Sequence, residues 1–132
     1  LHKNKLVREP LKYMLGGHPR VILSEPLDYL ELVSILKDCN FLLTDSGGLQ
    51  EEAPSFGKPV LILRETTERP EGLIAGTSKL IGTKTSEIFN AANNLINDND
   101  KYLSMSRAKN PFGDGKTSQK ILKECIKYLK VN

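Results

Sequence analysis

Thr44 to Val60 read TDSGGLQEEAPSFGKPV, and this stretch brings together residue types suited to an anion and to a sugar hydroxyl. An apolar run, Phe41 to Leu43, leads into Asp45-Ser46-Gly47-Gly48. Adjacent glycines cost backbone entropy, so a pair of them marks a backbone task such as close approach to a ligand. The next residues start a helix, whose free N–H groups and positive dipole end suit phosphate, and Ser46 adds a hydroxyl. The spacing is neither the GxGxxG fingerprint nor a Walker loop. The plainer reading is a tight strand-to-helix turn.

Glu51 and Glu52 fall in the first turns of that helix. There a carboxylate complements the dipole. Alternatively, one of them turns to the rim and accepts from a ribose diol. Neighbouring helical positions diverge by about 100°, so both cannot face the same way. Downstream, ETTERPEG crowds Glu65, Glu68, Arg69 and Glu71 into one loop. A charged loop is ordinarily just solvated. At a ligand rim, however, Arg69 could meet a phosphate, a sugar hydroxyl or Glu52, and Arg64 is a second candidate. His2 and His18 stand far apart and form no metal constellation, so a metal site is not expected. NPFGDGKTS looks like a phosphate loop but lacks a preceding strand, and reads first as a turn before a helix.

The elements that position these residues alternate. KLVREPLKYML is helical, stopped by Gly16-Gly17, with Pro10 an early break or first-turn residue. Val21–Leu23 reads as a strand ended by Pro26. LDYLELVSILKDC is a helix with Asp28 and Glu31 at capping-box spacing. Strands are expected over Phe41–Thr44, Val60–Leu63 and Leu80–Ile81. A short helix closed by Gly57 lies between the first two of these. KPVLILR is the near-continuous apolar run of a strand covered on both faces. TSEIFNAANNLIND is an amphipathic helix with Ile88, Ala92, Leu95 and Ile96 inward, DKYLSMSRA a short helix, and SQKILKECIKYLKV the last helix, with Ile121, Leu122, Cys125, Ile126 and Leu129 in one stripe. Together these predict an α/β fold with a mainly parallel, Rossmann-like, four-stranded sheet flanked by helices. Ligands bind such sheets at the carboxyl ends of the strands. That rim collects Glu25-Pro26-Leu27, the Asp45–Gly48 turn and the Arg64–Glu71 loop.

Composition narrows the partners. A length of 132 residues fits one domain, taken as 1–132. A 39% hydrophobic and 27% charged make-up is that of a globular chain, with no run long enough to span a membrane. The charge of +3 comes from dispersed lysines, which argues against nucleic acid. Cys39 and Cys125 lack CxxC spacing and fit a reduced, cytoplasmic setting.

Taken together, LTDSGGLQEEAPSFGKPVLILRETTERPEG, AGTSKLIGT and NPFGDGKTSQKIL closely resemble the C-terminal part of the non-hydrolysing UDP-N-acetylglucosamine 2-epimerases. The likeness runs from VREP through the last helix. It implies the C-terminal half of a glycosyltransferase-B architecture, with a UDP-sugar held between two Rossmann-like domains. It implies interconversion of UDP-GlcNAc and UDP-ManNAc without metal or organic cofactor. In that reaction UDP is eliminated as the C2 proton leaves, then adds back with inverted C2 configuration. Ser46, Gly47 and Gly48 then meet the diphosphate, Glu52 rather than Glu51 holds the ribose, and Arg69 lines the nucleotide-sugar pocket. Leu27 and Leu32 flank the uracil. There the chain departs from the family, which often has a polar residue at the first position and an aromatic at the second.

The family's catalytic carboxylates belong to an N-terminal domain that this sequence does not include, so no residue of it is assigned a catalytic role. Leu1-His2 resemble the end of a strand belonging to the missing part. The expectation is a UDP-binding fragment, inactive alone, whose partners are UDP or UDP-GlcNAc, the N-terminal domain of the same enzyme and, at full length, a second copy in a homodimer. The alternatives are another UDP-sugar-binding protein of the glycosyltransferase-B class, or a non-catalytic nucleotide-binding module.

Overall fold

A computed structural model describes residues 1–129. The chain divides into two compact units, Leu1–Asp38 and the residues from Cys39 onward.

The first unit carries two helices, α1 (Lys5–Leu15) and α2 (Tyr29–Asp38). Asn4 caps α1 by accepting from Leu6 N–H at 3.0 Å. Gly16 ends it with its N–H on the Lys12 carbonyl, where a Cβ would come within 2.3 Å of that oxygen. Pro10 stands inside α1 instead of breaking it. Proline has no N–H to donate to the carbonyl one turn earlier, and α1 has no buried residue, so the lost bond falls on an exposed helix. The capping box of α2 forms as its spacing predicts. Asp28 N–H donates to Glu31 at 3.0 Å, and Glu31 N–H donates to Asp28 at 2.9 Å. Arg8 pairs with Glu25 across the unit.

The expected strand at Val21–Leu23 is absent. Residues 21–28 are irregular, and Ile22 is 94% exposed. A strand exists only through a partner that takes up its backbone groups, and no strand among the described residues pairs with this segment. The sheet therefore has three strands rather than four.

Those strands, all in the second unit, are β1 (Leu42–Thr44), β2 (Val60–Ile62) and β3 (Ser78–Leu80), in the order β1-β2-β3. Both pairings are parallel, with Leu43 opposite Leu61 and Leu61 opposite Lys79. The third strand starts two residues before its expected place, and Ile81 prolongs it by donating to the Ile62 carbonyl. All of β2 is buried, as its unbroken apolar run predicts. Side chains alternate along a strand, so Leu61 faces one layer while Val60 and Ile62 face the other. Leu61 packs with Ile81 and with Ala91 and Leu95 of α5 (Thr85–Asn97), while Phe41, Leu63, Ile88, Ala92 and Met105 close the margin. Ile96, expected inward, is exposed, because Leu95 already occupies the core-facing position.

The remaining helices are α3 (Gly47–Glu52), α4 (Pro70–Ala75), α6 (Asn99–Ser106) and α7 (Thr117–Leu129). A 3₁₀ turn, Ala53–Phe56, extends α3 and closes on Gly57 at φ +65°, a conformation that favours glycine. The NPFGDGK segment is a turn. Asn110 and Asp114 accept from the N–H groups of Phe112 and Lys116, and Asn110 also donates to Ser55 at 3.0 Å. Ile121, Leu122, Ile126 and Leu129 of the α7 stripe are exposed. The expected continuation of α7 to Lys130 and Val131 lies outside the described residues. No helix among the described residues is long and apolar enough to cross a membrane.

Candidate functional site

β1 delivers the chain to the rim, and a buried threonine shapes the turn after it. Thr44 is 7% exposed, and its hydroxyl accepts from Ser46 N–H at 3.0 Å. That bond turns the backbone out of the strand and sets Ser46 as the N-cap of α3 in an extended conformation. The Ser46 hydroxyl does not cap the helix. The first N–H groups of a helix have no acceptor inside it, so those of Gly47, Gly48 and Leu49 are the backbone donors at this turn. At only six residues, α3 has a short dipole, and the donors themselves matter more than the macrodipole.

The two glycines open different spaces. A Cβ on Gly47 would lie 3.4 Å from Arg69 Cζ and 3.5 Å from its Nη2. The guanidinium thus lies against the start of α3. A Cβ on Gly48 would come within 3.9 Å of Ser46 Oγ and 4.0 Å of Glu52 Oε1. The bare Cα leaves that room between hydroxyl and carboxylate.

The two glutamates diverge as their helical spacing requires. Glu51 is committed within the protein: its Oε1 accepts from Arg69 Nε at 2.7 Å. Arg69 Nη1 also reaches Glu68 at 3.2 Å. The hydrogen bond and charge of Glu51, with smaller help from Glu68 and Glu71, hold the Arg69 pKa above its ordinary value. Glu52 turns instead toward Gly48, and its Oε2 is buried with no hydrogen-bond partner. Leaving a carboxylate oxygen in that state is costly. Because the group only accepts, what satisfies it must be a donor such as a hydroxyl. The sequence leaves open whether Arg69 meets Glu52; its carboxylate partners are Glu51 and Glu68.

Gln50 and Thr67 are contributors that the residue pattern does not reveal. Gln50 is 1% exposed, and its Oε1 accepts from the Thr67 hydroxyl at 2.7 Å. The same hydroxyl accepts from Arg69 N–H at 3.1 Å. One threonine therefore ties the charged loop to α3 and fixes the backbone from which Arg69 extends. Thr67→Val keeps the shape and removes both bonds, leaving Gln50 Oε1 buried and unpaired. We expect a loss of about 1–3 kcal/mol, read as a lowered denaturation midpoint; an unchanged midpoint would show that the latch bears no load.

Ser46, Gly47, Gly48, Glu52 and Arg69 thus come together at the end of β1. Arg64 and Glu65 do not join them. They line a separate cavity of about 410 Å³ with Lys79, Gly82, Glu87 and Asn90. Leu27 and Leu32 belong to the first unit, Leu27 exposed in the irregular segment and Leu32 half-buried in the first turn of α2. His2 and His18 each accept from a backbone N–H two residues on. Among the described residues, no cluster of histidine, cysteine or acidic side chains could hold a metal ion.

The family model for UDP-N-acetylglucosamine 2-epimerase matches residues 1–126. The chain belongs to this epimerase family. A Bacillus subtilis UDP-N-acetylglucosamine 2-epimerase is 50% identical over 126 residues, covering 96% of this chain and 33% of the relative. An S. aureus relative solved with UDP superposes with a TM-score of 0.94 at 51% identity, covering 99% of this chain and 36% of that one. The Neisseria meningitidis UDP-GlcNAc 2-epimerase, solved bound to UDP-GlcNAc, gives 0.91 at 45% identity, covering 96% and 34%. The chain therefore spans about a third of the length of its epimerase relatives.

Proposed function

We propose that this chain supplies the UDP-holding surface of a UDP-N-acetylglucosamine 2-epimerase. The observation that carries the reading is the Glu52 carboxylate, whose Oε2 is buried and unpartnered and whose Oε1 borders the space left open at Gly48, in a chain matched by the epimerase family over residues 1–126. A ribose diol offers the donors that this carboxylate lacks. The diphosphate then lies over the N–H groups of Gly47 and Gly48 and the Ser46 hydroxyl, with the Arg69 guanidinium at its side. Leu27 and Leu32 are assigned to the uracil by family resemblance alone.

The reaction breaks the bond between sugar C1 and the UDP oxygen as the C2 proton departs. UDP then re-adds to the glycal, and a proton returns to the opposite face of C2. Negative charge grows on the departing β-phosphate. Oriented N–H donors and a fixed cation stabilise such charge more than they stabilise the bound sugar nucleotide. This chain's share of the work is thus to hold the leaving group and keep it for re-addition. The acid and base belong to the N-terminal part, which we propose as its working partner. A homodimer at full length and a cytoplasmic location complete the proposal.

Calorimetry and coupled turnover assays test it. The 132-residue chain is expected to bind UDP and to form no UDP-ManNAc. Mixed with the N-terminal part of a relative, it is expected to give epimerisation. Absence of UDP binding would overturn the proposal. Binding without turnover in the mixture would favour a non-catalytic nucleotide-binding module.

A further inference from the structure

Glu51 is a helix residue that neither the diphosphate nor the ribose requires, yet it makes the shorter of the two ion pairs to Arg69. Its carboxylate lies 2.7 Å from Nε, whereas Glu68 lies 3.2 Å from Nη1. Exposure separates the two carboxylates further: the Glu68 side chain is 78% exposed and that of Glu51 44%. Screening and side-chain entropy erode exposed pairs, so Glu51 is the stronger anchor. It holds the Nε side of the guanidinium, which lies beside Gly47 with Cζ 3.4 Å, Nη2 3.5 Å and Nε 3.7 Å from the place a Cβ would take there. Below the guanidinium, Thr67 fixes the Arg69 N–H and is itself fixed by buried Gln50. The arginine is therefore held at its root by Thr67 and at its head by Glu51, both against α3.

We infer that Glu51 is a positioning residue, which pins the Arg69 guanidinium across Gly47 so that Nη2 meets the diphosphate already oriented. This rests on the UDP-binding reading above. Arginine otherwise loses considerable rotamer freedom on pairing with an anion. A side chain ordered before the ligand arrives spares that loss at the moment of binding. The effect belongs to ligands that carry phosphate and is absent for those that do not. It needs an acceptor at Oε1, which glutamine retains and alanine lacks.

Calorimetry with UDP and with uridine separates these consequences. Glu51→Ala is expected to raise the UDP dissociation constant about fivefold, the scale of immobilising one long side chain, while leaving uridine unchanged. Glu51→Gln is expected to stay within about twofold of the unaltered chain for both ligands, the scale of a screened surface charge. Glu68→Ala serves as the control and is expected to change neither. In Arg69→Ala, adding Glu51→Ala should produce no further loss. A ligand-free readout runs alongside: the Arg69 Nε–H resonance should be sharp and protected in the unaltered and Glu51→Gln chains and exchange-broadened in Glu51→Ala. If UDP binds the unaltered chain but Glu51→Ala binds UDP equally well, or loses uridine and UDP alike, the positioning role is wrong while the UDP-binding reading stands. If the unaltered chain binds no UDP, both fall.

Discussion

Replacing Glu52 by glutamine is expected to weaken UDP binding by roughly ten- to a hundredfold, because a hydrogen bond to a charged group contributes about 1.5–3 kcal/mol. The geometry gives this prediction its direction. Glu52 Oε2 is buried without a partner, and Oε1 borders the space left open at Gly48. A ribose hydroxyl donating to Oε1 adds a charge-assisted bond to a carboxylate whose other oxygen has no partner. The amide of glutamine replaces one of the two carboxylate oxygens with an NH2 donor and carries no charge, so it cannot offer an acceptor oxygen to each hydroxyl of a diol. The ligand can be altered as well as the protein. With 2′-deoxy-UDP the unaltered chain should lose part of its affinity, and Glu52→Gln should lose little more, because the two changes delete the same contact. Glu51→Gln supplies the comparison within the helix and is expected to bind UDP almost normally. Equal losses from the two glutamine variants, or strict additivity with the deoxy ligand, would return Glu52 to a helix-terminal charge with no ligand role.

That contrast marks how far the sequence can be read. The divergence of Glu51 and Glu52 follows from helical geometry, and the turn built on Ser46, Gly47 and Gly48 sits where the residue pattern puts it. Which partner each glutamate takes depends on a loop that returns 18 residues later to bring Arg69 to Glu51. No periodicity encodes that return. The Gln50–Thr67 bond spans 17 residues and joins two residue types common at any surface; only burial reveals it. The strand expected at Val21–Leu23 is missing for a related reason. β-branched residues declare a preference for extended backbone, but a strand is a pairing, and pairing is a property of the sheet. The β2 expectation holds because its unbroken apolar run reports burial on both faces, which in turn requires neighbours on both sides.

The largest expected effect on stability lies at that same strand. Leu61 is 1% exposed, stands at the centre of β2, and packs against Ile81, Ala91 and Leu95. Leu61→Ala removes buried methyl groups and leaves a cavity that the two flanking parallel pairings resist closing. We expect a loss of about 2–5 kcal/mol, a large share of the roughly 5–15 kcal/mol that stabilises a typical domain. Urea denaturation followed by circular dichroism measures it. Leu43→Ala, at a position 45% exposed on the neighbouring strand, should cost far less. β2 leads directly into the loop that carries Thr67 and Arg69, so unfolding of this strand removes the site with it. UDP binds only the folded form in this scheme and should therefore offset the loss, by about 2.7 kcal/mol at a hundredfold excess over its dissociation constant. The folded fraction of Leu61→Ala should keep the affinity of the unaltered chain, whereas Glu52→Gln should keep its stability and lose the rescue. A Leu61→Ala midpoint that UDP fails to raise would separate the sheet from the site and contradict the placement of the nucleotide at the end of β1.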